Sequence, residues 1–117
     1  MLISKPAAEQ APVQPPLTPE QIAENARVEV RFQRVVRALE SIKKSARNPA
    51  SVAFEEVLTS DDGSLVCVTL RAENGFSGVN VEHVVSVQGT VMTSNAKYNS
   101  NCTKTQLLDL THARRAL

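Results

Sequence analysis

From Val28 onward the apolar residues Phe32, Val35, Leu39, Ile42 and Ala46 recur at alternating steps of four and three, with Val36 widening the row. That spacing draws one apolar face along a helix. The onset is marked by Thr18-Pro19-Glu20-Gln21, which offers a capping hydroxyl, a proline at the first helical position and a glutamine three residues after the cap. The alternation Val28-Glu29-Val30-Arg31-Phe32 also fits a strand, but it fails after Phe32 while the helical row persists to Ala46. A helix is therefore predicted from Thr18 to Asn48, where the following Pro49 pushes the backbone out of the α region.

Past Pro49 the period drops to two. Strands are predicted over 51–59, 64–73, 77–87 and 90–93, punctuated by Ser60-Asp61-Asp62-Gly63, Asn74-Gly75 and Gln88-Gly89. Connections this short join antiparallel neighbours. In the third strand Val79, Val81, Val85 and Val87 share one side, with Val84 as the exception, which predicts that the valine-rich side is the buried one. The second strand is apolar on both sides over Leu65–Leu70 and is expected to lie centrally. Thr103-Lys104-Thr105-Gln106 reads as a second capping box that opens a short helix carrying Leu107 and Leu110. The fold class is α+β: one long N-terminal amphipathic helix on a three- to four-stranded antiparallel meander, with a short C-terminal helix.

Composition sharpens this picture at three points. Five of the six prolines fall within the first nineteen residues, so 1–17 is predicted to be a proline-rich linker, a tether to a membrane anchor or to another domain, and 18–117 a single α+β domain. Hydrophobic content of 42% and charged content of 21% exclude a wholly disordered chain, while aromatic content of 3% requires a core built from aliphatic, largely β-branched residues. No run approaches the ~20 apolar residues of a membrane-spanning helix.

The net charge of +1 is unevenly spread, since residues 27–47 hold seven Lys/Arg against two Glu. On a helix Arg27, Arg31, Arg34 and Arg37 form a basic face that could attract anionic lipid or nucleic acid. The scattered aromatics provide no stacking platform, so nucleic acid is the weaker of these partners. A solvated helix face is the plainer reading.

Few residues carry chemistry. Cys67 and Cys102 are the only cysteines, and they fit either a disulfide or two buried thiols; neither C-x-x-C nor a ligand spacing with His83 or His112 supports a metal or catalytic role. His83 shares the side of Val79 and Val85 and is expected at the rim of the core. The glycines of Asn74-Gly75-Phe76-Ser77-Gly78 have phosphate-loop spacing but lie between strands, without the helix that such a loop requires. Asn74, Gly75 and Gly78 are thus expected to turn a corner. No catalytic group, metal or cofactor is expected.

Asn48-Pro49-Ala50-Ser51-Val52-Ala53-Phe54, Asp62-Gly63-Ser64-Leu65-Val66-Cys67, Glu73-Asn74-Gly75-Phe76-Ser77-Gly78 and Tyr98-Asn99-Ser100-Asn101-Cys102 together resemble the pattern of a group of small uncharacterised bacterial domains. Those carry N/D-P-x-S-x-x-F, a V-C strand, an N-G-F-G-G turn and a second cysteine after an aromatic-Asn pair; this chain has Ser77 where they tend to have glycine. The resemblance spans about residues 48–102. It implies a domain behind a signal sequence or membrane anchor in the bacterial envelope, with Cys67 and Cys102 paired, and it implies no activity. The resulting expectation is a non-catalytic protein-interaction module, periplasmic or membrane-tethered. Its partner, a protein of unstated identity, would be met on an exposed sheet face or edge strand.

Overall fold

The computed structural model describes residues 15–74, 76, 78–102 and 106–117. Most of the predicted linker, Gly75, Ser77 and three residues of the second capping box lie outside them.

Helix α1 runs from Pro19 to Ser45. Its start is the expected capping box: Thr18 Oγ1 accepts the Gln21 N–H at 3.1 Å, and Gln21 Oε1 accepts the Thr18 N–H at 2.9 Å. The helix ends three residues before Asn48, and a 3₁₀ turn over Pro49–Ser51 leads into the sheet. Strands β1 (Ala53–Thr59), β2 (Leu65–Glu73), β3 (Val79–Val87) and β4 (Thr90–Met92) form the meander. Helix α2 (Asn95–Asn101) follows, then a fifth strand, β5 (Leu108–Asp109), and a 3₁₀ turn over Thr111–Ala116. All pairings are antiparallel and the order is β4-β3-β2-β1-β5.

The sequence therefore undercounted the strands by one. Residues 108–109 pair with Leu58 and Thr59 of β1 instead of continuing a helix, and the short C-terminal helix is the 3₁₀ turn beyond them. Two residues of strand are too few to show a period.

A second correction concerns the faces. Helix α1 buries Val35, Val36, Ala38, Leu39 and Ile42 against Phe54, Val57, Val66, Val68, Leu70, Ala72 and Val84. It thus covers the side of β3 that carries Val84, opposite to the side predicted. On this inner face β2 supplies an apolar residue at every second position from Val66 to Ala72, and that unbroken row decides where the helix lies. Val28 is exposed, as is every residue of α1 before Arg31.

The outer face holds a smaller cluster. A disulfide joins Cys67 to Cys102, fastening α2 over Val85, and Tyr98 packs beside it.

Candidate functional site

The two sides of the sheet end differently. Along β1 the outward backbone groups are taken up from several directions: Leu110 N–H donates to Val57 O at 2.8 Å, Val57 N–H donates to Thr111 Oγ1 at 3.0 Å, and Arg114 Nη1 donates to Phe54 O at 2.7 Å. That edge is closed.

Along β3 the edge is closed only at one end. Gln88 and Gly89, with φ of 48° and 87°, form a two-residue turn of the I′ kind, in which the flanking Val87 and Thr90 face each other as a hydrogen-bonded pair. The odd residues of β3 therefore direct N–H and C=O toward β4, and the even residues toward β2. The bonds from Gln88 N–H to Ser64 O and from Asn74 N–H to Gly78 O, both on the β2 side, obey the same parity. Since β4 reaches only Val85, the outward groups of Val79, Val81 and His83 have no backbone partner among the described residues.

Exposed apolar side chains stand beside this open edge, alternating with Asn80 and Glu82. Val79 and Val81, on the outer face, are 55% and 57% exposed, and Phe76 at the adjoining loop is 92% exposed. On the inner face a groove of about 350 Å³ runs between the C-terminal end of α1 and β3; Ile42, Ala46, Leu70, Ala72, Val84 and Val91 line its apolar part. The predicted valine row of β3 is thus split: Val85 is buried beneath the disulfide, whereas Val79 and Val81 lie beyond the reach of α2.

His83 sits at the boundary between these halves. Its Nδ1 lies 3.1 Å from Thr69 Oγ1 on β2, and its ring centroid lies 4.7 Å from that of Tyr98. The ring is part of the structure around α2. Cys67 pairs across the ladder with Val85 and is committed to the disulfide, so a Cys67–His83 nucleophile is excluded in the oxidised protein.

Three of the four arginines of the basic face are engaged with neighbouring groups. Arg31 Nη1 donates to Asp61 O at 3.0 Å, Arg34 Nη1 donates to Asp62 O at 2.9 Å, and Arg27 lies 3.6 Å from Asp61 Oδ2 while also pairing with Glu24. The Arg31 side chain is only 13% exposed. These three clamp the β1–β2 turn onto α1. Arg37 alone among the four makes no hydrogen bond or ion pair with the described residues. The turn itself is tied by Asp62, whose Oδ1 accepts from Ser64 N–H at 3.0 Å, Ser64 Oγ at 2.7 Å and Ser60 Oγ at 3.0 Å. The backbone N–H of Ser64 contributes most, the two hydroxyls next, and together they lower the carboxyl to about 2.

The β2–β3 connection runs between the paired Glu73 and Val79. Asn74 works through its side chain, Oδ1 accepting the N–H groups of Phe76 at 2.8 Å and Gly78 at 3.0 Å. A Cβ at Gly78 would stand 2.9 Å from Asn74 Nδ2, so this glycine serves close approach. Asn74 and Gly78 are thus joined across the loop, and Gly75 lies outside the described residues.

Among the described residues no group of three or more His, Cys, Asp or Glu is placed to hold a metal ion, and no helix is long and apolar enough to cross a membrane. No protein-family model, curated protein or solved structure matches this chain.

Proposed function

We propose that this chain is a non-catalytic protein-interaction module of the bacterial cell envelope, which binds an extended segment of a partner protein as an added strand on the outer edge of β3. The supporting observation is the row of outward N–H and C=O groups at Val79, Val81 and His83, left open while the opposite edge is closed at β1. Main-chain hydrogen bonds supply affinity in this mode, and alternate side chains supply selectivity. Here one set of partner side chains would lie against Val79 and Val81, and the other would enter the groove between α1 and β3. The envelope assignment draws on the disulfide, which suits an oxidising compartment, and on the resemblance of residues 48–102.

Proline at position 81 provides the test. Its ring removes an N–H that points outward and leaves the bonds to β2 in place, since a proline is tolerated on the free side of an edge strand. A library of random decapeptides would be panned on the disulfide-intact protein and the winners titrated against the native chain and Val81→Pro. Selected peptides with alternating apolar residues, bound at least about tenfold more weakly by a folded Val81→Pro variant, are expected. Equal binding by that variant, or a failure to select any peptide, would contradict the proposal.

A further inference from the structure

A second cavity, separate from the β3 edge, lies between the middle of α1 and the β3–β4 hairpin and encloses about 580 Å³. That volume is in the range of small-molecule sites. Its floor is apolar, formed by Ala38, Val66 and Val91. Three polar side chains line it without partners among the described residues: Arg37 and Ser41, which are exposed at its mouth, and the buried Ser86. Ser86 is the most telling. The residue is 2% exposed, yet its hydroxyl makes no hydrogen bond to the described residues, whereas the equally buried Thr59 donates to Leu65 O at 2.9 Å.

Ser86 lines the cavity, so a molecule bound there could accept from its hydroxyl, which has no partner among the described residues. Arg34, already donating to Asp62 O, and Arg37 set two positive charges on the rim against the single carboxylate of Asp62, which is itself satisfied by Ser60 and Ser64. The rim is therefore net positive. We infer that this cavity binds a small organic anion, a phosphate or carboxylate head with a short apolar tail. The head would accept from Arg37, Ser41 and Ser86, and the tail would cover Val66 and Val91.

A free small molecule fits better than a membrane headgroup, because Ser86 lies at the bottom of the cleft beneath α1. The test is an NMR titration of the disulfide-intact protein with n-butyl phosphate, reading the backbone amides of Ser86 and Gly89. Butanol and anionic phospholipid vesicles serve as separate arms. Saturable shifts with a Kd of about 1 mM or tighter are expected for butyl phosphate alone, weakened about tenfold or more by Arg37→Gln. Ser86→Ala should weaken binding with the melting temperature retained. Absent saturation, equal binding by Arg37→Gln, an equal response to butanol, or binding of vesicles without butyl phosphate would each overturn the inference.

Discussion

At the scale of single residues, the β1–β2 turn shows how much depends on a few atoms. Gly63 has φ of +78°, and a Cβ there would approach Arg31 Cα and O at 3.1 Å, so Gly63→Ala meets both backbone strain and the body of α1. Urea unfolding should show a loss of about 1–3 kcal/mol. Acid should act at the same turn. The Asp62 carboxyl is lowered in the folded chain, so its contribution is complete above the unfolded value of about 4 and is lost as pH falls toward about 2. Asp109 adds in the same direction: the hydroxyl and N–H of Thr111 donate to its Oδ1 and lower its carboxyl. Urea midpoints should therefore fall from pH 5 to pH 2, and Asp62→Ala should flatten that fall. The turn was legible from Ser60-Asp61-Asp62-Gly63; its arginine partners were not, because a basic helix face thirty positions upstream looks the same whether it meets solvent or a carbonyl.

At the scale of elements, the helix was readable to within a few residues because its row and its capping box agree. The face it covers was misread because β3 was given more weight than β2. In β2 the even positions stay apolar from Val66 to Ala72 while the odd ones turn polar at Thr69, Arg71 and Glu73, and that asymmetry was present in the sequence. Leu39, fully buried at the centre of the inner cluster, is the sharpest test: Leu39→Ala should cost about 2–5 kcal/mol in urea unfolding. Helix α2 rests on a different support. Its chief fastening is the bridge across a separation of 35 residues, which constrains the unfolded chain by about 3.5–4 kcal/mol in the loop-entropy description. Cys102→Ala should lower stability by an amount of that order and speed amide exchange in α2 ahead of β2, as hydrogen-exchange mass spectrometry can read.

For the whole molecule, the decisive feature is the inequality of the two sheet edges. Exposed edges are a hazard that proteins ordinarily cover, charge or shorten, and this chain covers β1 with β5, Thr111 and Arg114. It leaves the outward groups of Val79, Val81 and His83 in β3 without a backbone partner among the described residues, beside exposed valines. Both β1 and β3 read simply as strands in the sequence; only the short reach of β4 and the late return of residues 108–111 separate a closed edge from an open one. The most direct check is residue-resolved amide exchange along β3 in the disulfide-intact protein. Val79, Val81 and His83 should exchange rapidly while Asn80, Glu82 and Val84, bonded to β2, remain protected; uniform protection of all six would contradict the open edge on which the functional proposal stands.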